Sequence, residues 1–293
     1  MRGLCLSGGG AKGAFQVGAL EYLAEHETKA FQIGSGTSVG AINIAGLAMQ
    51  PVGAGLGAYV EFLLRAWDRL AKTEDVWKLR FPPYAAGLVK PSIGDNAPLR
   101  RLLTELVDFD RVMAGTPCTV VGWDLLAGKA RTWDLREAKN PAELVSFLLA
   151  SSSFPMAFPP ERIGDGLYTD GGITDIAPTH RLIDAGCVQI VAILCRNPDV
   201  PEPAEEKDLK STLDVGLRCL DGMESEIVRG DFAQLRLTNR LVAANAASAG
   251  KRWVDLVVIA PHESLGNPLD FSPALTRRRR TIGREAARRA LGG

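Results

Sequence analysis

Leu4-Cys5-Leu6-Ser7-Gly8-Gly9-Gly10-Ala11-Lys12-Gly13 lies near the start of the chain, and Phe31-Gln32-Ile33-Gly34-Ser35-Gly36-Thr37-Ser38-Val39-Gly40 follows soon after. Each begins with a short apolar run that ends in glycines, the pattern of a buried strand meeting a turn. Each also leads into a helical stretch. Ala14 to His26 carries Val17, Leu20, Leu23 and Ala24 at helical spacing, and Val39 to Met49 is small and apolar, suited to packing tightly on a sheet. Two successive strand–turn–helix units decide the fold class: α/β, with a largely parallel central sheet.

The two turns offer different chemistry. Gly36-Thr37-Ser38-Val39-Gly40 is a G-x-S-x-G pattern. On a strand-to-helix turn it lifts the serine onto a sharp elbow, and the flanking glycines allow that turn without side-chain clash. The Gly8–Gly13 turn, opening a helix, leaves backbone N–H groups aimed outward where the helix dipole favours negative charge. One supplies a nucleophile and the other a place for an oxyanion, which together suggest acyl transfer.

The rest of the chain continues the alternation. Ala58 to Leu70 and Ala97 to Val107 read as helices, joined by a loop around Phe81-Pro82-Pro83-Tyr84. Thr119 to Leu125 and Ala130 to Leu135 flank Ala127-Gly128-Lys129 as a hairpin. Asn140-Pro141-Ala142-Glu143 starts a helix, with a cap residue, proline at the first position and an acid at the third, running to about Ser151. Val188 to Leu194 and Val254 to Ile259 are strands. Between them Pro198 to Lys207 reads as an acidic, proline-rich surface loop, and Asp208 to Ala249 as helix. One domain spanning 1–293 is expected.

With 46% hydrophobic and 23% charged residues the chain has a globular composition. Its 34 basic and 34 acidic residues balance, so no overall pull toward nucleic acid is expected. The balance hides an arginine-rich end at about 274–293. Arg277, Arg278, Arg279, Arg280, Arg284, Arg288 and Arg289 face a single acid, Glu285. That end reads as the solvated face of a terminal helix or as a contact for anionic lipid head groups. Five widely spaced cysteines without a C-x-x-C pair suggest buried free thiols rather than disulfides or zinc. No signal peptide or membrane-spanning stretch is visible, so a cytoplasmic location is expected.

A serine hydroxyl needs a base. His26, His180 and His262 are the only histidines, each readable as an ordinary surface or capping residue. His262, after the last strand, fits the Ser…Asp…His order best. Asp170, in Tyr168-Thr169-Asp170-Gly171-Gly172, is the other partner, although Asp-Gly is also a common turn pair. An Asp base would have to be raised in pKa by burial.

Gly8-Gly9-Gly10-Ala11-Lys12-Gly13, Gly36-Thr37-Ser38-Val39-Gly40 and Asp170-Gly171-Gly172, in this order, resemble the patatin-like phospholipases. Ala150-Ser151-Ser152-Ser153-Phe154-Pro155 is similar to the family's serine-rich block. The resemblance implies a three-layer α/β/α sandwich and a Ser38–Asp170 dyad without histidine. It also implies an oxyanion hole from the N–H groups of Gly8, Gly9 and Gly10, with Lys12 at the family's Arg/Lys position. Gly36, Gly40, Gly171 and Gly172 belong to the same motifs. The implied reaction is hydrolysis of a fatty acyl ester in a phospholipid, lysophospholipid or neutral lipid, with no metal or other cofactor. The alternatives are a Ser-His-Asp esterase using His262, and a non-catalytic lipid- or phosphate-binding module. The phosphate reading lacks both the P-loop and dinucleotide glycine spacings. Peripheral membrane contact through Arg277, Arg278, Arg279 and Arg280 is a separate expectation.

Overall fold

The computed structural model describes residues 1–80, 90–200, 206, 209–244 and 251–292. The loop expected at 81–84, most of the acidic loop after Asn197 and the end of the helix expected to reach 249 lie outside the described residues. In chain order the strands and α-helices are β1 (Arg2–Leu6), α1 (Ala14–His26), β2 (Ile33–Thr37), α2 (Val39–Ala48), α3 (Gly57–Asp68), β3 (Lys78–Leu79), β4 (Gly94–Asp95), α4 (Ala97–Leu106), α5 (Phe109–Ala114) and β5 (Cys118–Asp124). They continue with β6 (Lys129–Asp134), α6 (Pro141–Ser152), β7 (Glu161–Ile163), β8 (Gly166–Asp170), α7 (Thr179–Asp184), β9 (Gln189–Ile193), α8 (Thr212–Ala243), β10 (Asp255–Ile259) and α9 (Pro273–Ala290).

The main sheet runs β10-β9-β1-β2-β5-β8-β7, with β6 also on β5. From β10 to β5 every pairing is parallel, and β6, β7 and β8 pair antiparallel. Alternation along the central strands divides the core in two. Leu4, Leu6, Val191 and Ile193 pack with Phe15, Leu20 and Ile44 of α1 and α2. Cys5, Ile190, Ala192 and Leu194 pack on the opposite face with Leu182 of α7 and Val228, Phe232 and Leu235 of α8. Helices therefore cover both faces of a sheet whose central strands are buried, the α/β/α arrangement expected.

The strand expected at Phe31–Ile33 lies further on. Gly34, Ser35, Gly36 and Thr37, read as a turn, form the body of β2. Their glycines serve close packing: a Cβ on Gly34 would stand 2.7 Å from Ile44, and one on Gly36 would stand 2.4 Å from the Gly40 carbonyl oxygen. The backbone of α2 thus lies directly against the strand that feeds it. Thr212–Ala243 is capped by Ser211, which accepts from the Asp214 N–H while the Asp214 carboxylate accepts from Ser211.

The arginine-rich end forms α9, but neither sequence reading holds for the whole run. Arg279 is completely buried. Its guanidinium donates to the carbonyl oxygens of Leu265 (2.8 Å), Asn267 (2.8 Å), Asp270 (2.7 Å) and Ala11 (3.1 Å). It faces neither water nor lipid. Arg280 pairs with Glu21 and Asp68, Arg284 with Glu25, and Arg278 with Glu263. Helices α1 and α9 touch backbone to backbone. A Cβ on Gly18 would lie 1.9 Å from the Arg280 carbonyl oxygen, and one on Gly283 would lie 2.0 Å from that of Phe15. Four cysteines are buried free thiols, while Cys219 is exposed on α8. Among the described residues no helix is long and apolar enough to cross a membrane.

Candidate active site

Ser38 stands between β2 and α2 at φ 58°, ψ −126°. Among the described residues only Met156 is another non-glycine residue with positive φ. A serine holds such a conformation only when its surroundings impose it. The Ser38 N–H donates to the carbonyl and hydroxyl oxygens of Ser151, both at 3.1 Å. The Ser38 carbonyl accepts the Ala41 N–H at 2.9 Å as α2 begins. Room for the elbow depends on Gly40, where a Cβ would come 2.1 Å from the Leu6 carbonyl oxygen.

Asp170 ends β8 and is buried. Its Oδ1 accepts the Gly172 N–H at 2.8 Å, and its own N–H donates to the Ser153 carbonyl at 3.0 Å. Oδ2 has no well-formed hydrogen bond among the described residues. Loss of water raises the carboxyl from 3.8 to about 7, opposed by smaller lowering effects from the Ser38 hydroxyl and the Gly172 N–H. Ser38 and Asp170, far apart in sequence, are therefore brought together. Gly171 makes this possible, since a Cβ there would stand 2.4 Å from the Val121 carbonyl oxygen.

The Gly8–Gly10 loop passes beside the serine. A Cβ on Gly8 would come within 3.0 Å of the Ser38 Cβ. The three N–H groups are not equivalent. That of Gly8 donates to the Ile176 carbonyl at 3.0 Å, whereas those of Gly9 and Gly10 have no partner among the described residues. The conformations of Gly9 (φ 152°) and Gly10 (φ 55°) suit glycine, and a Cβ on Gly10 would strike the Pro268 carbonyl oxygen at 2.3 Å. Ala11 donates to that same oxygen at 2.7 Å.

Behind the loop runs a buried polar chain that the sequence reading missed. Gln16 Nε2 donates to the Ser7 carbonyl (2.7 Å), Asn43 Nδ2 to Gln16 Oε1 (2.8 Å), and Trp67 Nε1 to Asn43 Oδ1 (3.0 Å). It fixes the loop to α1, α2 and α3. Helical spacing gave Gln16 and Asn43 no distinguishing mark.

Ser38, Lys12 and the glycine loop open on one large cavity. Most of its wall is apolar, with Phe62 and Trp67 of α3, Leu99 and Leu103 of α4, and Phe158 and Phe271. Its polar end holds Lys12, Arg196, Asp221 and Glu224. Lys12 is buried. Arg196 is ion-paired with Asp221. Glu224, on α8, carried no motif signal. Among the described residues no cluster of metal-ligating side chains is present.

The histidines lie elsewhere. His180 Nε2 is 3.5 Å from Asp175 Oδ2, and the half-exposed His262 faces Glu263 at 3.9 Å. Neither lines the cavity that holds Ser38, so the structure does not assemble the triad that the position of His262 suggested. His26 Nδ1 donates to the Tyr22 carbonyl (2.9 Å) on the surface of α1.

Residues 4–183 match the family model described as Patatin-like phospholipase. Among solved structures the chain is similar to VipD from Legionella pneumophila, at 16% identity with a TM-score of 0.47, covering 99% of this chain and 66% of that one. It is also similar to the type III effector protein ExoU, at 15% identity with a TM-score of 0.40, covering 99% of this chain and 52% of that one. The chain thus spans just under two thirds of the first of these proteins and about half of the second.

Proposed function

The chain belongs to the patatin-like phospholipase family, a family of lipid hydrolases, and from that premise we propose that it cleaves fatty acyl esters through a Ser38–Asp170 dyad and an acyl-enzyme. The observation that carries this reading is the strained Ser38 elbow, which lines an apolar cavity and hydrogen-bonds a buried Asp170 whose carboxyl is raised to about 7. An aspartate with an ordinary pKa is too weak a base for a serine hydroxyl; a carboxyl near 7 sits close to the range where proton transfer is efficient.

In the proposed cycle Asp170 takes the Ser38 Oγ proton as Oγ attacks the ester carbonyl carbon. The carbonyl oxygen becomes an oxyanion, stabilised by the N–H groups of Gly9 and Gly10 and by the positive end of α2. Removing one such donor typically costs about 10²–10³ in rate. Collapse of the intermediate breaks the ester C–O bond, and Asp170 returns the proton to the departing alcohol oxygen. Water then hydrolyses the acyl-enzyme by the same steps, restoring Ser38. Gly8 supports this arrangement through its close approach to Ser38 and its tie to Ile176, rather than as a donor. Lys12 contributes a buried positive charge at the same end of the cavity. The apolar wall between α3 and α4 takes the acyl chain.

Approach to a lipid surface would rest on Arg277 and Arg278, the exposed members of the consecutive arginines 277–280. Changing both to glutamine should weaken vesicle binding, and binding should fall with salt. Fatty acid release from phospholipids, lysophospholipids and monoacylglycerols, comparing wild type with Ser38→Ala, tests the hydrolase reading. Equal release by both proteins would sink it.

A further inference from the structure

Among the described residues, Glu224 is the carboxyl at the polar end of the cavity that neither the dyad nor an ion pair accounts for. It projects from α8, which lies beyond the stretch that matches the family model. It lines the large cavity together with Ser38, and also a smaller pocket lined by Phe154, Asp170, Gly172 and Met223. The two carboxyls share one neighbourhood. The point that a Cβ on Gly172 would occupy lies 3.0 Å from Glu224 Oε1 and 3.2 Å from Asp170 Oδ1. The Glu224 carboxyl accepts no hydrogen bond and joins no ion pair among the described residues, whereas Arg196 beside it is held by Asp221.

We propose that Glu224 is a substrate-contacting residue: in its protonated form it donates its O–H to a hydroxyl or ether oxygen on the alcohol half of the ester, and so orients the departing oxygen toward Asp170. This rests on the hydrolase reading of the site. The substrate class it favours is a glycerol ester with an uncharged oxygen next to the scissile bond, such as a monoacylglycerol or the glycerol portion of a lysolipid.

The charge environment supports a neutral acid. Burial raises the Glu224 carboxyl to about 8, reinforced by the negative charges of Asp170 and Asp221 and opposed by Arg196 and Lys12. The buried Cys195 thiol is a further titratable neighbour. Because the negative charge of Asp170 raises Glu224, the second proton of the pair is the harder to lose. Between the two values the site therefore holds one carboxylate to act as base and one carboxylic acid to donate a hydrogen bond, and the pair titrates as a coupled unit.

The test compares kcat/KM for a monoacylglycerol and for the methyl ester of the same fatty acid, across pH, in wild type, Glu224→Gln and Glu224→Leu. Both substrates are assayed on the same preparation, so their ratio is independent of the fraction correctly folded. Wild type should lose glyceride activity above about pH 8. Glutamine still donates a hydrogen bond but does not ionise, so Glu224→Gln should keep its activity through that range. Glu224→Leu should lower the glyceride-to-methyl-ester ratio by about 10-fold, the worth of one buried hydrogen bond. An alkaline decline that persists in Glu224→Gln, or a ratio in Glu224→Leu equal to that of wild type, overturns the proposal. Either result with Ser38-dependent activity intact leaves the hydrolase reading standing. Loss of the reading itself would show instead as activity that survives Ser38→Ala.

Discussion

Thr37 and Asp170 stand at consecutive register positions along one edge of β5. Thr37 pairs with Val121 in the parallel ladder, and Asp170 pairs with Gly122 in the antiparallel one. Strand β6 occupies the other edge of β5 throughout. Strands β2 and β8 therefore approach from opposite directions and end at the same place. The residue after Thr37 is Ser38. Convergence of the two side chains is thus a property of sheet register, which a slip of one residue would destroy by turning every side chain to the opposite face.

In the proposed mechanism Asp170 must be ionised to accept the Ser38 proton. Ester hydrolysis should therefore rise through about pH 7 as this carboxyl ionises. Asp170→Asn should reduce kcat by about 10³-fold, within the usual worth of a positioned general base. The pH profile of kcat/KM checks this. A rise centred near pH 4 would show that burial does not raise the Asp170 carboxyl.

The same burial makes Asp170 a liability for stability. Its folded pKa is raised, so its stabilising contribution is fully present below the unfolded value of 3.8 and is lost as pH climbs to about 7. Asp170→Asn fixes the neutral form. The variant should melt close to wild type near pH 4 and at a higher temperature than wild type at pH 8, by up to ~4 kcal/mol at 1.36 kcal/mol per pKa unit. Thermal melts at the two pH values decide it; an equal shift at both would contradict the linkage.

Gly8→Ala places a methyl group 2.4 Å from the Ile176 Cδ1 and 3.0 Å from the Ser38 Cβ. The isoleucine tip can yield but the strained elbow has little freedom. Activity should fall by about 10²-fold, with a stability loss of about 1–3 kcal/mol. Gly230→Ala is the control. It lies at an exposed position of α8 with open space around it, so activity should be that of wild type and stability should rise by roughly 0.5–1 kcal/mol. Chemical denaturation with parallel ester assays separates the two effects.

Arg279→Met would leave four carbonyl groups without their donor, two of them, Leu265 and Ala11 of the glycine loop, in buried hydrogen bonds. Unfolding free energy should drop by about 3 kcal/mol, and kcat should fall by at least about 10-fold as the loop loosens. Arg277→Gln, at an exposed position of the same helix, should change stability by no more than about 0.5 kcal/mol. Urea titration and single-turnover acylation of both variants test the contrast. Equal behaviour would reduce Arg279 to an ordinary surface charge, contrary to its burial.

The first 50 residues were the most legible because local physics governs them. Ala14–His26 and the helix after Ser38 follow from apolar spacing and glycine turns, and the Asn140 cap gave α6 almost to the residue. β8 was missed. Gly166–Asp170 is a short segment whose strand character comes from its partners β5 and β7 rather than from its own residues. Ser38 and Asp170 stood out through glycine neighbours, which mark special backbone geometry. Glu224 and Arg279 did not, because each acts through long-range placement from an ordinary-looking helix. The arginine run was the instructive case: composition alone could not show that one of four consecutive arginines turns inward.

The clamp from α9 also has a consequence in time. A ribosome makes Ser38 and Asp170 well before residues 265–284, which brace the glycine loop through Arg279 and seat α9 on α1 through Gly18 and Gly283. A nascent chain would carry the proposed nucleophile and base while the glycine loop was still unbraced. On the proposed mechanism, a chain cut before residue 265 would hold Ser38 and Asp170 but lack the braced loop that the oxyanion requires.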